Sequence, residues 1–311
     1  MNSQTRNIQD VAIIGGGPGG LSAALVLGRA LRKVTVIDEG KPRSRVTVKA
    51  HGFLTRDGVH PSEIREVAHE QMKAYENVQV VKDTVEIAEK IDGLFSLRTR
   101  KGEEFLSRRL IVATGMKDHL PKITGMEKVY GKTVFHCPYC DGWERKGEPL
   151  AIFGNGKGLM PFIKTIYNWS RDLIVFTNGP AALIDEEKRQ LKQRGIDVME
   201  EPILAIESTN GQMEQILLKD RGPVKRTSGF MVTTGETQAS AIPSMLGVPL
   251  DERGQYETRE HGQTSINGLF IIGDAKNTFT SIVGAASQGY EAGVALNHDL
   301  AAQDWENEKP V

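Results

Sequence analysis

The run Val11-Ala12-Ile13-Ile14-Gly15-Gly16-Gly17-Pro18-Gly19-Gly20, continued by residues 21–31 and by Val34-Thr35-Val36-Ile37-Asp38, reads as one complete supersecondary unit. Four consecutive apolar residues predict a strand buried on both faces. After the glycine turn, Leu21, Ala24, Leu25, Gly28 and Leu31 recur at helical spacing, and a second apolar strand then ends in an acid. Each glycine of Gly15-x-Gly17-x-x-Gly20 has a mechanical task. The first permits the tight turn, the second lets the backbone approach a pyrophosphate, and the third allows helix to pack closely on strand, while the helix N-terminus faces the phosphates. Asp38, 18 residues beyond Gly20, stands where a carboxylate accepts a ribose hydroxyl. A purely structural turn would need neither these flanks nor the acid, so a dinucleotide-binding unit is expected.

Outward from this unit, a helix is expected over 62–75 and strands over 78–82, 84–91 and 94–100, with Asp92-Gly93 as the hairpin signal between the last two. Leu110-Ile111-Val112-Ala113 is strand-like and ends in Thr114-Gly115. From about His119 the pattern starts afresh. Leu150-Ala151-Ile152-Phe153 leads into Gly154-Asn155-Gly156, a helical segment runs to Trp169, and a strand follows over 173–176, as in a weaker copy of the opening. Asn210-Gly211 marks a second hairpin, and a strand over 230–233 ends in Thr234-Gly235. Leu269-Phe270-Ile271-Ile272 ends in Gly273-Asp274, before a closing helix over 282–300. An Asp at such a strand end either caps the next helix or binds a ribityl hydroxyl while that helix N-terminus faces a ring carbonyl; paired with the opening glycine motif, it points to FAD rather than NAD. The expected fold is α/β, with two Rossmann-like, three-layer nucleotide-binding domains.

The length, 311 residues, suits about two domains. An apolar share of 39 % and a charged share of 25 % exclude disorder and collagen. With 39 basic against 40 acidic side chains and no basic block, nucleic-acid binding has no electrostatic footing. Apolar stretches break within about a dozen residues, too short for a bilayer, and the polar opening, 1–10, lacks the apolar core of a signal peptide. A soluble, cytoplasmic protein without membrane or nucleic-acid partners is expected.

Both cysteines of the chain lie in Cys137-Pro138-Tyr139-Cys140-Asp141-Gly142. Two are too few for a secreted disulfide scaffold. A zinc site needs about four ligands, and only His119 and His136 are near in sequence. An inert disulfide is uncommon in a reducing cytosol. A redox dithiol is favoured, because two-residue spacing closes a small, reversible ring. Asp141 either caps a turn or exchanges protons with a thiol. His136, Tyr139, Trp143 and Glu144 flank the pair, and His51 is either near a cofactor or a turn residue.

Together, Gly15-x-Gly17-x-x-Gly20, Ala113-Thr114-Gly115, the Cys137–Gly142 motif and Gly273-Asp274 resemble the low-molecular-weight thioredoxin reductases over nearly the whole chain. That resemblance implies a homodimer with a discontinuous FAD domain, 1–118 and 243–311, and a second nucleotide-fold domain, 119–242, bearing the cysteines. It implies cofactor contacts from Gly15, Gly17, Pro18, Gly20, Asp38, Glu39, Val85, Ala113, Thr114, Gly115, Gly273, Asp274, Ser281 and Ile282. It also implies that Cys140 faces the flavin and is its charge-transfer or adduct partner, that Cys137 exchanges with substrate, and that Asp141 is the acid–base group. Departures concentrate in the second domain. Leu159 replaces a small residue, Pro161 falls in the following helix, and Thr177-Asn178-Gly179 stands in place of the basic cluster that pairs the NADPH 2′-phosphate. Thr280-Ser281 stands where the family has Arg-Gln. A degraded NAD(P)H site is similar to the branch of flavin-dependent dithiol oxidases of the gliotoxin and holomycin type. The substrate is then a small-molecule dithiol and the acceptor O2, although members of that branch carry His where Asp141 stands. The alternatives are an NAD(P)H- or ferredoxin-linked reductase of thioredoxin or another disulfide, with Lys157 or Arg189 reaching the phosphate, and a flavin redox sensor without turnover.

Overall fold

The computed structural model describes residues 8–308, so most of the polar opening lies outside the described residues. The chain forms two compact units. The first comprises residues up to Arg45, Ser62–Lys117 and those from Thr237 onward; the second comprises Val46–Pro61 and Asp118–Glu236.

In the first unit, strand β1 (Ile8–Ile14) leads through the glycine turn into helix α1 (Pro18–Arg29) and strand β2 (Val34–Ile37). Helix α2 (Pro61–Met72) and strands β3 (Val78–Val81), β4 (Val85–Ile91), β5 (Leu94–Thr99) and β6 (Glu104–Val112) follow. The parallel order is β3-β2-β1-β6, and the Leu269–Ile271 strand lies parallel to the C-terminal part of β6. This is the doubly wound order whose switch point, between β1 and β6, opens the crevice used by nucleotides. The β4–β5 hairpin turns at Asp92 and Gly93, both at positive φ. Residues 237–242, expected in the second domain, lie in the first unit, where Thr237-Gln238 pairs antiparallel with Met116-Lys117.

The third fingerprint glycine and the closing helix show why small residues are required. A Cβ on Gly20 would sit 1.9 Å from the Gly15 carbonyl oxygen, and one on Gly289 would sit 2.0 Å from that of Gly19. The helix Ile282–Asn307, longer than the expected 282–300, thus meets α1 backbone to backbone. Gly289→Ala is expected to cost about 1–3 kcal/mol, as overpacking does, and to lower the urea midpoint; an unchanged midpoint would count against this close approach.

The second unit repeats the plan. Its five parallel strands run in the order Asp197–Met199, Leu173–Phe176, Leu150–Phe153, Ser228–Met231, Val134–Phe135. The Asn210-Gly211 turn joins Ile203–Thr209 to Gln212–Leu218 in a separate antiparallel sheet. The helix expected to reach Trp169 spans Leu159–Ile166, so Pro161 falls within its first turn, where no intrahelical donor is lost. Leu159 is fully buried in the core of this unit. Neither residue disrupts the local fold.

Candidate active site

In the first unit the fingerprint turn is built around β1. Gly15 has φ +106°, and a Cβ there would lie 2.4 Å from the Ala113 carbonyl oxygen, so β1 and the end of β6 touch at the switch point. A Cβ on Gly17 would meet nothing within 4 Å, and Pro18 opens α1 as its first residue. Asp38 accepts the Gly16 N–H at 3.0 Å and the Arg65 guanidinium at 2.5 Å. Its neighbour Glu39 is exposed, whereas Val85 is buried in the core cluster containing Ile14 and Ile37. Beside Gly115, at φ +69°, the Thr114 hydroxyl is buried without a hydrogen-bond partner, as is Nε of Arg65. Such orphaned groups are suited to a polar ligand.

Gly273, also at positive φ, donates its N–H to Gln288 Oε1 at 2.8 Å. Asp274 accepts from Arg43 at 2.9 Å and from the Thr280 N–H at 2.7 Å. Ser281 caps the closing helix, its Oγ accepting the Gly284 N–H at 3.0 Å, with Ile282 as the first helical residue. Arg43, Arg65 and Gln288 carry no local pattern; only a search for cations able to reach the two strand-end acids could have found the arginines.

In the second unit Cys137 and Cys140 are disulfide-bonded across the short helix Pro138–Asp141, with Cα atoms 5.3 Å apart. Pro138 at the first helical position presets φ where no N–H is needed. The Cys140 N–H donates to Cys137 Sγ at 3.1 Å, a contact that favours a thiolate on Cys137 when the pair is reduced. Cys137 is buried and Cys140 partly open. Gly142 is required beneath this turn, because a Cβ would lie 2.8 Å from Trp169, whose ring also takes Tyr139 edge-on. Tyr139 and Trp143 are largely exposed. Before the pair, the His136 Nδ1 and Tyr130 hydroxyl are 2.9 Å apart, and that hydroxyl donates to Asp118 at 3.1 Å.

Asp141 is partly buried, and its pKa is pushed up to about 7, chiefly by burial and next by the Glu144 carboxylate, against the lowering pull of His51 and Arg145. A carboxyl group that titrates near neutrality is matched to general acid–base work.

The second glycine turn is closed on itself. The Asn155 side-chain oxygen accepts the N–H groups of Gly156 (2.9 Å) and Ala182 (2.8 Å), and its amide donates to the Pro180 carbonyl at 2.9 Å. At the adjacent strand end Thr177 Oγ1 donates to the Gly179 carbonyl at 2.7 Å, and Asn178 accepts the Ile203 N–H at 2.8 Å. Arg189 pairs with Glu186 and Lys188 with Glu200, while Lys157 is exposed.

The duplicated doubly wound fold and the cysteine pair define a disulfide oxidoreductase. The chain belongs to the pyridine nucleotide-disulphide oxidoreductase family, whose model matches residues 9–289, and it is an enzyme of thioredoxin reductase-like type. It is 28 % identical to thioredoxin reductase sirT of Leptosphaeria maculans, over 96 % of each chain. Among solved structures it resembles HlmI, with a TM-score of 0.90, 31 % identity and coverage of 98 % of this chain and 96 % of that one. It also resembles an oxidoreductase from Agrobacterium tumefaciens, with a TM-score of 0.88, 30 % identity and coverage of 95 % and 99 %. Among the described residues no helix is long and apolar enough to cross a membrane.

Proposed function

We propose that this protein is an FAD-dependent dithiol oxidase that closes a disulfide in a small-molecule dithiol and reduces O2 to hydrogen peroxide. The carrying observation is the second glycine turn: Asn155 occupies the Gly156 N–H that a pyrophosphate would need, and the neighbouring Thr177-Asn178-Gly179 loop offers no cation to a 2′-phosphate. These internal bonds disfavour a donor site for NAD(P)H, whereas the cysteine pair and Asp141 are present.

In this reading the first unit is the FAD domain and the second carries the dithiol. Gly15, Gly17, Pro18 and Gly20 would hold the pyrophosphate, Asp38, Glu39 and Val85 the adenosine half, and Ala113, Thr114, Gly115, Gly273, Asp274, Ser281 and Ile282 the remainder. The orphaned Thr114 hydroxyl and the open space at Gly17 fit such a group. Since Asp38 and Asp274 already accept from Arg65 and Arg43, a ribose or ribityl hydroxyl would share these carboxylates. Bound FAD would supply two-electron acceptance from the reduced cysteines and delivery to O2.

The chain's own residues do the thiol chemistry. A substrate thiol gives its proton to Asp141 and attacks Cys137, breaking the Cys137–Cys140 bond and leaving Cys140 as a thiolate. The second substrate thiol attacks the mixed disulfide, and its proton passes to Cys137, which is released as a thiol. Substrate thereby loses two electrons and two protons, and the protein pair gains two electrons. We place the enzyme, as a homodimer, in the cytoplasm.

Anaerobic addition of NADPH, NADH or dithiothreitol tests this reading. Dithiothreitol should bleach the flavin absorbance, neither nicotinamide should do so at a comparable rate, and peroxide should form when air is admitted. Rapid bleaching by NADPH would instead identify a reductase acting on thioredoxin or another disulfide.

A further inference from the structure

Residues 46–61, expected within the first domain, 1–118, instead fold as a loop of the second unit. Ala50 pairs antiparallel with Val59, the Gly58 N–H donates to Ala50 at 2.8 Å, and the Arg56 N–H donates to Phe53 at 2.8 Å. At its base the Val46 carbonyl lies against Gly131, where a Cβ would come within 2.5 Å of that oxygen. Asp57 spends one oxygen on the Gly52 N–H at 2.8 Å and turns the other to His51 Nδ1 at 3.4 Å. The opposite ring nitrogen, Nε2, stands 3.5 Å from Glu144 Oε1, three residues beyond Asp141. The imidazole is largely enclosed, at 17 % exposure, while Asp57 is open at 66 %.

We propose that His51 is a positioning residue of the redox site: clamped between Asp57 and Glu144, it holds the Glu144 carboxylate in place and governs proton transfer at Asp141. This rests on the reading of Asp141 as the acid–base group. A ring with a carboxylate at each nitrogen donates to both only as the imidazolium. In that form it offsets the charge of Glu144, which opposes ionisation of Asp141, and Arg145 adds a second offsetting cation. Asp57 fixes the ring from behind, and its own carboxyl is held below the usual range by the Gly52 N–H and His51. Loop 46–61 thus brings an imidazole up to the Glu144 carboxylate, three residues beyond Asp141.

The test follows anaerobic reduction of the disulfide in the holoenzyme by dithiothreitol across pH 5–9, quenched by alkylation and counted by mass. Dithiothreitol loses two electrons and two protons, and the pair becomes two thiols. The wild-type rate should rise through an inflection near Asp141 ionisation. His51→Gln should move that inflection upward, and Glu144→Gln downward, each by roughly half a pH unit. Asp141→Asn should remove it. If Asp141→Asn removes the inflection while His51→Gln leaves it in place, the His51 role is overturned and the acid–base reading stands. If Asp141→Asn retains it, the acid–base reading itself fails. Should His51→Gln not fold, Asp57→Asn must raise the inflection and Glu144→Gln must lower it; unmoved profiles in both overturn the proposal.

Discussion

Cys140→Ser should abolish dithiol oxidation, with kcat reduced at least about 10³-fold, because no intramolecular disulfide can form with one sulfur. The substitution is nearly isosteric at a partly open position, and the N–H that donates to Cys137 belongs to the backbone, so fold and bound flavin should survive. With its partner removed, Cys137 should still be able to capture substrate. Incubation of Cys140→Ser with the disulfide form of a substrate should leave a mixed disulfide on Cys137, seen as one substrate mass added per chain. Cys137→Ser should be equally inactive but form little adduct. The reverse pattern would exchange the two roles, and it is a sharp test because Cys137 is the more buried residue of the two. Substantial turnover in Cys140→Ser would remove the dithiol from the mechanism altogether.

Asp141→Asn should make the protein more stable above pH 7 and less active. The folded-state pKa of Asp141 is about 7 against an ordinary 3.8. Between those values the folded protein retains a proton that the unfolded chain releases, so stability from this group is complete below the lower value and declines as pH rises to the upper one. A difference of about three units, discounted for partial exposure, amounts to about 2–4 kcal/mol. Asparagine carries no charge to bury, so the variant should unfold later than the wild type in urea at pH 8, with the gap narrowing towards pH 4. An equal gap at both pH values would mean that charge burial is not its cause. A destabilised acid beside a dithiol is the expected compromise of an active site tuned to neutral pH.

The frame of this molecule was readable because its signals are local. A fully apolar tetrapeptide, a glycine turn and helical spacing specify the opening unit, and Asp92-Gly93 and Asn210-Gly211 form the turns expected of them. The cysteines likewise announce themselves by spacing. Other features depended on partners far apart in the chain. Arg65 reaches Asp38, Arg43 reaches Asp274, and His51 meets Glu144 through folding of a loop whose own residues spell only turns. Pro161 falls in a helix whose start the sequence does not mark, so its place in the first turn emerges only from the structure. Asn155 lies inside a recognisable glycine motif, yet its consequence resides in bonds to Gly156, Pro180 and Ala182 made across the turn.

Both sulfhydryl residues of the chain are joined to each other, and no third cysteine exists. On the proposed reading, substrate dithiols and peroxide are both reagents that scramble bystander thiols. Within one chain, every exchange that misfires can return only to substrate or to the same pair, so miswired intramolecular isomers have no foothold. Oxidative wear should instead be recorded on its nine methionines, as sulfoxides.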